Sequence, residues 1–257
     1  MYFNDIHILI YLAVGLMALV VGEVVGLANE RLMNNEKIFE KGSLKRFKRE
    51  FVPHYRLMIL MFCLYVGILY SCGIKKNWHS NIELVSYYVL LPLLICIFRL
   101  DLKKQIIPNR LVLTIFEIGL GITFFEGIVS PTGATFALNR LEGMISGFVI
   151  FSVITLLGGL VVGKEAMGMG DVKLMAVLGL FFGVRSIITI SIIAFLVGAI
   201  ASIYVLITKI KKPDDYISFG PFIVIAAVIA MLIPEDVLFK MVWFLFSGQW
   251  FIKFFRR

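Results

Sequence analysis

Side chains that carry chemistry are scarce in this sequence. Its 257 residues include only three cysteines and three histidines. Cys63, Cys72 and Cys96 form no CxxC pair and lie in or beside apolar runs, so they read as small buried hydrophobes. His7, His54 and His79 have no metal-ligand spacing to one another or to a cysteine. Neither GxSxG nor HExxH occurs, and the Gly-rich Leu157-Gly158-Gly159-Leu160 sits inside an apolar run, which leaves serine and zinc hydrolysis without support. Charge is thin as well, at 16% of residues. The longest polar stretch, residues 29 to 55, is too short to bury a core of its own, so no separate soluble domain is expected. The start Met1-Tyr2-Phe3-Asn4-Asp5 carries no basic n-region, and the first apolar run is therefore expected to stay in place as a span.

Apolar length is what the chain has in abundance. Hydrophobic residues make up 60% of it, and the mean hydropathy is +0.94. The class is an all-α polytopic membrane protein. Crossing ~30 Å of hydrocarbon takes about 20 helical residues, and the apolar runs give about eight spans: His7–Ala28, Arg56–Gly73, Ile82–Phe98, Leu111–Ser130, Gly143–Gly163, Val172–Val184, Ser186–Thr208 and Phe219–Ile233. From Val172 to Thr208 only Lys173 and Arg185 are charged. One helix of that length would reach roughly 55 Å, so a hairpin turn is placed at Gly183-Val184-Arg185-Ser186. The tail Val237–Arg257 has Trp243, Trp250 and several phenylalanines between Lys240 and Lys253, and reads as an interfacial helix. Three segments follow: residues 1–55 with the first span and a basic loop, 56–233 with the multi-span core, and 234–257 as the tail.

The excess of positive charge, +8, is read as membrane orientation rather than nucleic-acid binding. Loops on the face reached after the first span hold seventeen Lys and Arg, against four on the other face. That puts the N-terminus outside and the basic face in the cytoplasm. The basic run Lys45-Arg46-Phe47-Lys48-Arg49 is expected to lie on anionic headgroups.

Two aspartates stand at the mouths of spans on this same face. Asp101 follows one apolar run and precedes Ile107-Pro108-Asn109, with Pro108 suited to a helix's first turn. Asp171 lies in Met167-Gly168-Met169-Gly170-Asp171-Val172-Lys173, where Gly168 and Gly170 let backbone approach closely. Two spans separate the aspartates, and an even number of crossings returns a chain to the same face. A carboxylate pair suits peptide hydrolysis, because like charges a few ångströms apart keep one group protonated. The ionised partner takes a proton from water while the protonated one donates to the developing oxyanion. Asp171 opens its helix, with the dipole and Lys173 favouring the charged form, so it is assigned as base and Asp101 as acid. The first half of the hairpin has only thirteen residues, which implies that Asp171 sits slightly inside the membrane plane in a wet, shallow cavity.

These motifs are similar to those of the bacterial type IV prepilin leader peptidases. Asp101-Leu-Lys-Lys-Gln-Ile-Ile-Pro108-Asn109 resembles that family's first-aspartate motif, and Gly168-Met-Gly170-Asp171-Val-Lys173 its GxGDxK. Phe219-Gly220-Pro221-Phe222 resembles the FGPF that opens its last span, and Gly22, Arg31 and Leu32 fit the spacing of its N-terminal segment. The resemblance implies catalysis by Asp101 and Asp171, a site shaped by Gly168, Gly170, Lys173, Pro108, Asn109, Gly220 and Pro221, and no metal. It further implies cleavage of a basic leader from prepilins or pseudopilins on the cytoplasmic side of the inner membrane. The chain departs from the family at Gly26, where Asn is usual, and at Met33, where Pro is frequent. Its loop after the first span also lacks the two CxxC pairs with which many members bind zinc. Zinc is not expected, and N-methylation with S-adenosylmethionine stays open; proteolysis needs no cofactor. The partners are the prepilin substrate and the bilayer, with no nucleic acid, and a homo-oligomer is left open.

Two other classes stand beside this reading. A membrane scaffold would tolerate neutralised aspartates, and an ion-coupled transporter could use Glu23, Glu117 and Asp171. Glu23 needs a partner or a wet cavity, and so does Glu117; Glu126 is placed at the outer interface, and 131–142 is read as an outer loop. Gly22 and Gly26, four apart, are expected to mark a close helix contact.

Overall fold

The computed structural model describes residues 2–3, 6–33, 54–73, 78–130, 132–162, 167–208 and 218–247. The basic run 45–49, the loop 209–217 and the tail beyond 247 lie outside the described residues. Among the described residues eight helices follow a two-residue antiparallel bridge of Tyr2–Phe3 with Ile6–His7. They are α1 (Ile8–Met33), α2 (Tyr55–Cys72), α3 (Trp78–Lys104), α4 (Asn109–Val129), α5 (Gly133–Val162), α6 (Met169–Thr208), α7 (Gly220–Leu232) and α8 (Glu235–Phe246). The first six are long and apolar enough to cross a membrane, and α7 is a shorter apolar helix. The chain is a multi-pass, all-α membrane protein, as the apolar runs require. It divides into two compact units, 1–106 and 107–257.

In the first unit α1, α2 and α3 pack together. Gly22 and Gly26 do mark the α1–α2 contact: a Cβ on Gly22 would lie 2.6 Å from the Met58 Cα, and one on Gly26 would strike the His54 ring. Across α2 and α3, Tyr65 and Tyr88 each donate a hydroxyl to the other's carbonyl, at 2.7 and 3.1 Å, with their rings stacked 4.6 Å apart. Helix α3 ends where Gln105 takes a left-handed φ of 54° and donates its N–H to the Asp101 carbonyl, a common way to close a last turn.

The second unit is organised by the α6 hairpin, and Gly147 on α5 proves the reversal. A Cβ there would lie 2.6 Å from the Met175 carbonyl oxygen and 3.3 Å from Ile187 Cγ1. In one straight helix those two residues would stand about 18 Å apart, so the halves of α6 run side by side along α5. The turn falls at Gly183, whose φ of 73° and ψ of −179° break the helix; glycine tolerates that conformation without a Cβ clash. Asn139 accepts the Val184 N–H at 3.4 Å, and Arg185 pairs with Asp236 at 2.9 Å while lying over the Phe239 ring. At the same level α5 and α6 meet backbone to backbone, through Gly143 and Gly179.

Residues 133–142 form the first turns of α5, not an outer loop. The helix extends because Arg140 and Glu126, 3% and 1% exposed, meet at 3.1 Å and carry their charges inside the bundle. Glu126 is therefore buried rather than interfacial. The two helices meet closely where the Gly133 N–H donates to the Ser130 carbonyl at 2.9 Å, with Gly133 against the Glu126 and Gly127 carbonyls.

Candidate active site

The GxGDxK stretch opens α6. Met167 is buried and Gly168 precedes the helix; the Asp171 N–H donates to the Gly168 carbonyl at 3.0 Å, forming the first turn. The Asp171 side chain belongs to that turn and is 4% exposed. Burying a carboxylate is costly unless partners or a dipole hold it, and the N-terminal turn of a helix offers the positive end of the dipole.

Beside Asp171 the structure brings one other sequence motif against GxGDxK. A Cβ on Gly170 would sit 3.1 Å from that of Ile107, so glycine there lets the Ile107-Pro108-Asn109 stretch lie close against α6. Pro108 is the N-cap of α4, with φ −65° and its carbonyl accepting from the Leu111 N–H at 3.0 Å. Lys173 donates from Nζ to Asn109 Oδ1 at 3.2 Å. The first turns of α4 and α6 therefore lie side by side at one end of this unit. Lys173 is turned to Asn109, and among the described residues it forms no ion pair with Asp171.

The FGPF stretch supports the same end of the hairpin. Gly220 and Pro221 are buried, and Pro221 lies in the first turn of α7, where a missing N–H costs nothing. The Phe219 ring lies 5.0 Å from Phe195 and 6.1 Å from Phe151, centroid to centroid. It also covers Gly198, where a Cβ would be 3.1 Å away. Phe219 thus ties the start of α7 to α5 and to the second half of α6.

In the first unit, Asp101 sits in the last turn of α3 and is 3% exposed. Lys103 and Lys104 share that turn, and Lys104 donates to the Leu32 carbonyl at 3.3 Å, which ties it to the end of α1. Glu23 has its partner here. Its carboxylate accepts the His54 backbone N–H at 2.9 Å, at the N-terminus of α2, and lies 3.4 Å from His54 Nδ1. Glu30 approaches the other ring nitrogen at 2.8 Å. The sequence reading missed His54, because its partners stand 31 and 24 residues away. It also missed Asn29, fully buried with neither amide atom hydrogen-bonded. The signal for Asn29 is periodic: it falls on the Gly22–Gly26 stripe of α1. Glu117 is exposed on α4, and no cation pairs with it among the described residues. Those residues also contain no group of three His, Cys, Asp or Glu that could hold a metal.

Residues 88–203, which include both aspartate motifs, match the type IV leader peptidase family. A prepilin leader peptidase/N-methyltransferase of Aeromonas salmonicida is 28% identical over 197 residues, covering 77% of this chain and 64% of that protein. One of Pseudomonas aeruginosa is 32% identical over 161 residues, covering 63% and 52%. One of Legionella pneumophila is 26% identical over 279 residues, covering 89% and 93%. The match to the Aeromonas protein spans less than two thirds of its length. No solved structure matches the chain. Residues 88–203, with both aspartate motifs in order within them, are thus similar to the type IV leader peptidase family.

Proposed function

We propose that this chain is a membrane-embedded aspartyl endopeptidase. It cuts the basic leader from a prepilin or pseudopilin on the cytoplasmic side of the inner membrane, with Asp101 and Asp171 as the catalytic pair. The observation that carries the reading is the meeting of Ile107-Pro108-Asn109 with GxGDxK through Gly170 and Lys173. Asp101 stands only six residues before Ile107, so the chain between them reaches at most about 20 Å. Gly168, Gly170, Pro108, Asn109, Gly220 and Pro221 act by setting the backbone around that junction.

In the reaction Asp171, at a helix N-terminus, is the ionised base and Asp101, at a helix C-terminus, the protonated acid. Asp171 takes a proton from water, whose oxygen attacks the scissile carbonyl. Asp101 gives its proton to the carbonyl oxygen, forming a gem-diol. The diol then collapses: its O–H returns a proton to Asp101, and Asp171 delivers its own to the departing amine, so both carboxyls regain their starting states. No metal or cofactor enters these steps. N-methylation of the new amine would need S-adenosylmethionine as methyl donor, and the missing CxxC pairs argue for a chain that cleaves without methylating. Glu23 is engaged at the N-terminus of α2, which removes one carboxylate from the ion-transport reading. The test is cleavage of a prepilin by the purified chain, wild type beside Asp171→Asn. The reading expects a shortened product from the first alone, and no product from the wild type would refute it.

A further inference from the structure

Peptide hydrolysis leaves one feature of the second unit unused. A groove of about 350 Å³ runs between α4, α5 and the first half of α6. Its walls are apolar, with Val112, Phe116, Met144, Phe148 and Val177 among them, and its mouth is the Asn109–Lys173 pair. At 100° per residue Lys173, Ala176 and Val177 project roughly 200°, 140° and 240° from Asp171 around the helix. The groove therefore opens on the face of α6 turned away from Asp171. A peptide lying in it would not offer a bond to that carboxylate, so the occupant is something other than the scissile segment.

The mouth is built for an anion. Lys173 gives its ammonium to a neutral amide oxygen, and Arg110, exposed in the first turn of α4, follows Asn109 in sequence just outside the groove lining. Among the described residues neither cation has a carboxylate partner. The first turns of α4 and α6 lie together here, so two helix N-termini direct their positive dipole ends to this side. Inward from the mouth, Asn109 to Phe116 covers about 10 Å of helix, and the wall residues in that depth carry no polar side chain. A charged head over a hydrocarbon slot is the shape of a phospholipid. A zwitterionic headgroup would bring its own cation against Lys173 and Arg110, whereas a headgroup of net negative charge would not.

We propose that this groove binds a phospholipid with an anionic headgroup, one acyl chain lying along Val112, Phe116 and Phe148 and the phosphate held by Lys173 and Arg110. The lipid would rest on the turn that carries Asp171, so membrane charge would act on the first turn of α6.

The test uses the full chain with Trp78, Trp243 and Trp250 changed to Phe and Phe148→Trp as the reporter at the groove. The protein is reconstituted with brominated phosphatidylglycerol or brominated phosphatidylcholine at equal mole fractions, and quenching of the single tryptophan reports occupancy. We expect phosphatidylglycerol to be preferred. Lys173→Ala and Arg110→Ala should each weaken that preference about fivefold, the effect of one basic residue at an anionic surface, whereas Lys173→Arg should keep it. Millimolar glycerol phosphate, a headgroup without a chain, should not compete. Four results would overturn the proposal. They are equal quenching by the two lipids, a preference untouched in both alanine variants, competition by glycerol phosphate alone, and no quenching by either lipid, which would mean that a protein segment fills the groove.

Discussion

Removing one partner of the buried Glu126–Arg140 pair should destabilise the second unit more than any exposed substitution. The two groups are 1% and 3% exposed and meet at 3.1 Å. At an effective dielectric of about 20 their attraction is roughly 5 kcal/mol, set against several kcal/mol for desolvating each ion. The intact pair thus nets little, but a lone buried charge keeps its desolvation penalty without the attraction. Arg140→Met should therefore cost about 3 to 5 kcal/mol. For a chain of this size that corresponds to a Tm lower by about 10 °C. Glu126→Gln should fall by a similar amount, because the guanidinium then lacks its counter-charge and one of its nitrogens, Nη1, already has no hydrogen bond. The double variant Glu126→Gln/Arg140→Met should recover at least half of the loss, since neither charge remains. Thermal unfolding in detergent, followed by helical circular dichroism, supplies the numbers. Strictly additive losses in the double variant would show that the charges do not interact, and the account of why α5 extends to Gly133 would fall with them.

Other substitutions test other joints. Gly179→Val should disrupt the α6 hairpin, because any Cβ there meets the Gly143 backbone; overpacking of this kind costs about 1–3 kcal/mol or more, read as a lower Tm or loss of monodisperse protein. Glu23→Ala should cost about 0.5–2 kcal/mol, the value of a helix N-terminal acceptor, while leaving cleavage by folded protein intact; abolished cleavage at unchanged stability would instead give Glu23 a part in the chemistry. With S-adenosylmethionine present, mass spectrometry of the cleaved pilin should find its first amine mostly unmethylated, and a stoichiometric gain of one methyl group would reverse that expectation.

Much of this structure was legible in the chain because membrane helices obey length and periodicity. The α6 hairpin could be placed within a residue or two, since an apolar run of roughly 55 Å has no straight solution in ~30 Å of hydrocarbon and Gly183 was the nearest residue suited to a break. What failed to show were pairings over distance. Residues 133–142 look polar enough for a loop, and only the contact of Arg140 with Glu126 reveals why they are helical. His54 has no local signature, and its role comes from Glu23 and Glu30 on another helix. The direction of Lys173 is a different case. Helical periodicity already put it about 200° from Asp171, and reading it as that residue's electrostatic neighbour overlooked the turn. The contact of GxGDxK with Pro108–Asn109 needed two helices to start at one end, which the even count of crossings foreshadowed.

The central claim is that Asp101 and Asp171 act as one catalytic unit, and non-additivity tests it most directly. Initial rates of leader cleavage are measured for wild type, Asp101→Asn, Asp171→Asn and the double variant, each shown to be folded in detergent. Asparagine keeps the shape but cannot exchange the proton, so each single variant should lose at least about 10³-fold. Residues that work as a unit lose their effect together, so the double variant should be no slower than the slower single one. Near wild-type turnover in either single variant, or a double-variant loss equal to the product of the two, would contradict the shared site.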